Sequence, residues 1–216
     1  MIQKHYEHVK DICGGAGLCI VTKKRSIEEI MTYYDAGERV FGENHAAELK
    51  KKASVLPQDI RWNFIGHLQT NKVRMIMPFV SMIQSLDSLH LAEVIEKEAA
   101  RIGRTVDVLA EVHLAEEDTN KSGLDPEELD DLLEALSSMP HLHVRGMMVM
   151  GPHTDDENRI REVFRKAHGL FLAHQEEDPD FSILSMGMSD DYHIAVQEGS
   201  TMVRIGTYLF EEGDSE

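Results

Sequence analysis

Positive charge is scarce in this 216-residue chain: 22 Lys and Arg stand against 39 Asp and Glu, a formal net charge of −17 at pH 7. That argues against a nucleic-acid partner, because a phosphate backbone recruits clustered Lys and Arg. It equally disfavours docking on a membrane of anionic lipid. A soluble, self-repelling surface is expected, and with it a monomer. Any anionic ligand must be captured by a local arrangement of donors. Cysteine is rarer still. Cys13 and Cys19 lie six residues apart, with no Cys or His around them at zinc-site spacing. Two reduced thiols in a cytoplasmic protein are expected, not a disulfide. No apolar run approaches the roughly eighteen residues of a membrane-spanning helix. Residues 1–10 lack the apolar centre of a signal peptide. No repeat, low-complexity tract or proline-rich linker divides the chain, so one domain over residues 1–216 is expected, with 211–216 a solvated acidic tail.

What the chain does have is alternation. Short β-type runs recur: Leu18 to Val21, Arg39 to Phe41, Ile60 to Ile65, Ser81 to Gln84, Val106 to Val112, Val144 to Met148, Ile183 to Ser185 and Met202 to Ile205. Helical patterns separate them. One opens at Ser26, where Ser26 and Glu29 form a capping box, and stops at Gly37. Others cover Asn44 to Leu56, Asn71 to Met77 before Pro78, Leu89 to Ile102 before Gly103, Pro126 to Ser138, and Asp156 to His174, with a short one around Ile194 to Gln197. Strict βα alternation implies a parallel sheet with helices outside. Eight such units predict a single (β/α)₈ barrel of small size, with an open doubly wound sheet as the rival.

In such a barrel, chemistry collects at the C-terminal ends of the strands. Those positions here read Thr22-Lys23-Lys24, Gly42-Glu43-Asn44, Gly66-His67-Leu68-Gln69, Ser85-Leu86-Asp87, Ser185 to Asp191, and Arg204-Ile205-Gly206-Thr207. Loops after strands 7 and 8 often build a phosphate site in this fold. Gly187, Ser189, Gly206 and Thr207 suit one, since glycines admit backbone N–H groups and hydroxyls add donors. A plain turn is the competing reading of the same residues. Lys23 tops an apolar strand, where partial desolvation favours the neutral amine that imine chemistry needs. Taken alone, it also reads as a surface lysine.

Other signals are weaker. Gly14-Gly15-x-Gly17 precedes a strand, the wrong context for a dinucleotide loop. Asp118-x-Asn120-x-Ser122-Gly123 starts like a calcium loop but has Leu129 where a Glu is required. His141 and His143 read as surface residues, and the twelve Met as core filler.

Longer blocks carry a resemblance. Val21-Thr22-Lys23, Phe41-Gly42-Glu43-Asn44, Ile65-Gly66-His67-Leu68-Gln69, Ser185-Met186-Gly187-Met188-Ser189 and Gly199 to Thr207 are similar, in order and spacing, to the YggS/PROSC family. Its members bind pyridoxal 5′-phosphate (PLP) and act in PLP homeostasis. The likeness runs from about Leu18 to Phe210. It implies the barrel of the alanine racemase N-terminal domain, without that enzyme's second β-domain. It implies Lys23 as the Schiff-base lysine, Ser189, Gly206 and Thr207 around the phosphate, Arg204 facing the pyridine nitrogen, and Asn44 beside the ring. An arginine stays protonated, so it hydrogen-bonds an unprotonated ring nitrogen and weakens the electron sink. Thr22 stands where the family usually has Ser, Lys24-Arg25-Ser26 replaces a common Thr-Lys-Pro, and His45 a frequent Tyr. The N-terminal helix looks shorter than usual, which would leave one flank less covered.

The expected function is therefore a PLP carrier or regulator without evident catalysis, passing PLP to apo-enzymes. An amino-acid racemase of the related fold is the alternative, disfavoured because only six residues follow Phe210. A Schiff-base aldolase would need companion carboxylates in the barrel, and the strand ends offer few.

Overall fold

Each apolar run is followed by an amphipathic segment with its own start signal, and parallel strands require such crossovers. The computed structural model describes residues 2–115 and 122–210. Helix α1 (Ile2–Cys13) leads into β1 (Gly17–Val21), α2 (Ile27–Asp35), β2 (Val40–Glu43), α3 (Ala46–Ala53) and β3 (Arg61–Phe64). The chain continues through α4 (Thr70–Ile76), β4 (Val80–Leu86), α5 (Leu89–Ile102), β5 (Val106–Val112), α6 (Leu129–Leu136) and β6 (Leu142–Val149). It finishes with α7 (Glu157–Glu177), β7 (Ile183–Ser185), α8 (Tyr192–Gln197), β8 (Met202–Ile205) and α9 (Thr207–Phe210). Every neighbouring pair is parallel, and β8 returns to β1 with Cys19 beside Arg204. The sheet closes as the barrel β1 to β8 in sequence order, which excludes the open sheet. The acidic tail at 211–216 and the calcium-like positions Asp118 and Asn120 lie outside the described residues.

Local chemistry explains the boundaries. Ser26 Oγ accepts the Glu29 N–H at 3.2 Å while Glu29 accepts the Ser26 N–H at 2.7 Å, so α2 starts at a reciprocal cap. Gly103, at φ 63°, closes α5 in the left-handed conformation that glycine tolerates. The segment expected as one helix from Pro126 begins instead as a 3-10 turn, Pro126–Glu128, tightened by a capping box between Asp125 and Glu128.

Side chains alternate along the strands. One set, including Ile20, Phe41, Phe64, Val108, Leu184 and Ile205, joins the large apolar cluster between sheet and helices. Each such side chain contributes about 1.5–3 kcal/mol by leaving water. The opposite set points into the lumen and is strongly polar. Cys19, Asn63, Gln84, Glu111, Ser185 and Arg204 are all buried. Gln84 donates to Asn63 Oδ1 at 2.9 Å, Ser185 Oγ donates to Gln84 Oε1 at 2.7 Å, and Arg204 donates to Ser185 Oγ at 2.7 Å. This chain spans β3, β4, β7 and β8 and satisfies groups that burial would otherwise penalise. Met82, Leu109 and Met148 form a smaller apolar cluster beside Met150 and Ile183.

Two features shape the barrel further. The β5–β6 register shifts next to Gly146, which sits at φ 143° with no room for a Cβ against the Ile183 carbonyl. That is a bulge only glycine accommodates. Helix α1 packs on β1, α8 and α9. His5 hydrogen-bonds the Tyr208 carbonyl at 3.0 Å and stacks on its ring at 4.7 Å, so this short helix covers the flank where β8 meets β1.

Candidate functional site

The six residues singled out in the sequence fall on the C-terminal ends of β7, β8, β1 and β2, four strands consecutive around the barrel. Gly206 abuts Val21: a Cβ there would lie 3.1 Å from both the Val21 Cβ and its carbonyl oxygen. The glycine therefore lets the end of β8 close onto the strand that carries Lys23. Ser189 Oγ accepts the Tyr208 N–H at 3.3 Å, tying the loop after β7 to the turn after β8. Gly187 makes that loop possible, at φ 96° and with a Cβ position only 2.5 Å from the Ala195 Cβ. Asp191 shapes it from within, accepting the Met188 N–H at 2.6 Å. Burial raises the Asp191 carboxyl above its ordinary pKa.

Arg204 lies below this rim, 3% exposed. One terminal nitrogen donates to the Ser185 carbonyl at 2.8 Å and to Ser185 Oγ, and the other to the Val149 carbonyl at 3.1 Å. The guanidinium is thus locked in orientation by β6 and β7. Burial draws its pKa below the usual value, with Asp191 and Glu111 opposing that shift. Cys19 neighbours Arg204 in the β1–β8 register, and burial pushes its thiol up to about 12, so it is inert.

Asn44 comes directly after β2, and its Oδ1 is buried without a hydrogen-bond partner. Its backbone is crossed closely by Gly66, where any Cβ would overlap the Asn44 carbonyl. Lys23 follows the alternation of Cys19 and Val21 and stands exposed at the mouth. The partial desolvation expected for it is therefore not seen, since Lys23 is exposed. Thr207 is likewise exposed at the rim.

Two hollows flank the mouth. One of about 670 Å³ lies on the β6–β7 side and includes His153, Asp155, Met188, Asp190 and Asp191. The other, about 370 Å³, lies on the β2–β3 side and includes Asn44, His45, His67, Gln69 and Lys72.

Some functional geometry was not read from the sequence. Glu43 and Lys52 are both buried and paired at 2.6 Å, a contact that no sequence motif announces. Glu111, a carboxylate that does face the lumen, accepts a hydrogen bond from Ser122 at 2.6 Å. The signal for Lys52 was the i,i+4 spacing from Glu48, which resembles any solvated helix pair. His141 and His143 hydrogen-bond Glu96 and Asp107 far from the mouth, in keeping with a surface role.

A closed sheet of eight parallel strands with helices between them defines the class, a (β/α)₈ barrel. Comparison with known proteins narrows it. Residues 1–213 match the family described as alanine racemase, N-terminal domain. The pyridoxal phosphate homeostasis protein of Aquifex aeolicus is 40% identical over 215 residues, spanning 95% of this chain and 94% of that protein. That of Pasteurella multocida is 35% identical, spanning 99% and 93%. PipY of Synechococcus elongatus with PLP bound superposes with a TM-score of 0.88 at 32% identity, covering 98% of this chain and all of that one. Alanine racemase from Corynebacterium glutamicum, at 19% identity and a TM-score of 0.73, shares the fold, and the match covers 62% of its chain. The chain belongs to the alanine racemase N-terminal domain family, within the group whose curated members are called pyridoxal phosphate homeostasis protein.

Proposed function

We propose that this protein binds PLP as a Schiff base on Lys23 and acts in PLP homeostasis, holding and releasing the cofactor without turning over a substrate. The observation that carries the reading is the meeting of the Lys23 strand with the glycine-lined loops after β7 and β8. Residues present at the mouth suit the group. The orphaned Asn44 Oδ1 is an acceptor in want of a partner. Gly187 and Gly206 let the two loops pack closely, so that backbone N–H groups and the Ser189 and Thr207 hydroxyls would meet a phosphate there.

When bound, PLP supplies an aldehyde that condenses with a primary amine. Lys23 provides that amine from the open mouth. Arg204 would offer the ring a charged donor of fixed orientation, since its described hydrogen bonds engage both terminal nitrogens and none engages Nε. A donor that never yields its proton weakens electron withdrawal through the ring, which supports storage over carbanion chemistry. An open rim at Lys23 supports exchange with solvent and with apo-enzymes. Two free, buried cysteines support a reducing, cytoplasmic setting, and the strong negative charge supports a monomer. Among the described residues, no helix is long and apolar enough to cross a membrane.

The test is an absorbance spectrum with added PLP, before and after borohydride, followed by peptide mapping. The reading expects a band near ~420 nm that borohydride fixes onto Lys23. Lys23→Ala should lose the band and retain weaker, phosphate-dependent binding. A tag on another lysine, or an unchanged spectrum in Lys23→Ala, overturns it.

A further inference from the structure

Helix α3 carries Glu48 and Lys52 one turn apart, joined at 2.7 Å. Such a pair usually decorates a solvated face. Here Lys52 is 4% exposed, and its ammonium makes three contacts: Glu48 Oε1 at 2.7 Å, Glu43 Oε1 at 2.6 Å and the Thr22 carbonyl at 2.6 Å. Glu48 Oε1 also accepts the Lys24 N–H at 2.7 Å. The carbonyl immediately before Lys23 and the N–H immediately after it are therefore both held by one helix.

The segment so held has a reason to move. Lys24 sits at φ 61°, a left-handed conformation that residues with a Cβ avoid, and among the described non-glycine residues no other has a positive φ. Arg25 N–H closes the turn on the Thr22 carbonyl at 2.9 Å, and Thr22 Oγ1 donates to Glu43 at 2.6 Å. Strain of this kind persists only where neighbouring contacts over-determine it.

We propose that Glu48 and Lys52 are positioning residues for Lys23: they clamp the two peptide units around its Cα and so aim the amine across the mouth. The proposal rests on the reading that Lys23 carries PLP. Neither is among the residues proposed to contact PLP. Their effect is on the rate at which a captured aldehyde meets the amine, because small misplacements of a reacting group cost large factors in rate.

Glu48 is the residue to change, since its side chain is 24% exposed and the protein should fold without it. Glu48→Ala removes both acceptor contacts, whereas Glu48→Gln keeps an oxygen for the Lys24 N–H and for Lys52 without the charge. Three measurements apply. Stopped-flow growth of the Schiff-base band should slow about tenfold or more in Glu48→Ala and stay near wild type in Glu48→Gln. The dissociation constant of 4′-deoxypyridoxine 5′-phosphate, which lacks the aldehyde, should change less than about twofold in both, since phosphate and ring contacts are untouched. In ligand-free protein, the Lys24 amide should exchange faster in Glu48→Ala than in Glu48→Gln. Equal slowing in both variants would mean charge and not aim is responsible, and wild-type rates in Glu48→Ala would mean no clamp; either overturns the proposal. Failure of wild-type protein to be tagged on Lys23 would instead overturn the reading of the site itself.

Discussion

Replacing Lys52 with Met tests how the buried ionic group under α3 is balanced. Lys52 and Glu43 side chains are 5% and 0% exposed, and they pair at 2.6 Å. Without the ammonium, Glu43 keeps the Thr22 hydroxyl on Oε1, while Oε2 has no hydrogen-bond partner already. Removing one partner of a buried pair costs about 3–5 kcal/mol, because a charge is left uncompensated. For a chain of this size that is a drop in Tm of roughly 6–20 °C. The loss should depend on pH. Burial already holds the Glu43 pKa above the ordinary value, opposed by hydrogen bonds from Lys52 and Thr22, and losing the ammonium raises it further. A carboxyl that is harder to ionise when folded penalises folding at high pH and not below its unfolded pKa. The gap between wild type and Lys52→Met should therefore be widest near about pH 7–8 and shrink as the pH falls toward about 4.5. Adding Glu43→Gln should recover more than half of the loss at neutral pH. Calorimetry at both pH values reads the result. A loss below about 1 kcal/mol, or a gap that ignores pH, would refute the assignment of Lys52 as the counter-charge.

Other expectations concern the barrel itself. Ser185→Ala interrupts the lumen chain between Gln84 and Arg204 and should cost about 1–3 kcal/mol in urea denaturation, since two buried polar groups lose a partner. Gly146→Ala should destabilise by about 3 kcal/mol or more, or abolish soluble expression, because φ 143° and the Ile183 carbonyl both forbid a Cβ. Cys13 and Cys19 should resist a thiol reagent at pH 8 in native protein and both react in denaturant, as burial raises each thiol's pKa.

The barrel was legible because strands covered on both faces read as apolar runs between helix caps. Boundaries were less so. Val144 to Met148 marked only the middle of β6, which starts at Leu142, because His143 at its start is exposed and breaks the run. The four-residue α9 carries no helical period at all. For the proposed site, the glycines and hydroxyls at the ends of β7 and β8 are the signal that the sequence offers, and Lys23 stands out only beside them. The clamp was not readable. Lys50, Lys51 and Lys52 are chemically identical in sequence, and only the phase of α3 buries the third. The lumen chain was equally hidden, because its members are contributed by four separate strands and meet only when the barrel closes.

That closure sets an order of events. Lys23 is made well before Ser189, Arg204, Gly206 and Thr207. At ordinary ribosomal speeds the two halves of the mouth are separated by on the order of tens of seconds. On the proposed reading of the site, until β8 docks beside β1 there is a lysine but no phosphate cup. A nascent chain can therefore neither sequester the ligand nor be stabilised by it, and ligand-dependent protection becomes a report that the last strand has arrived.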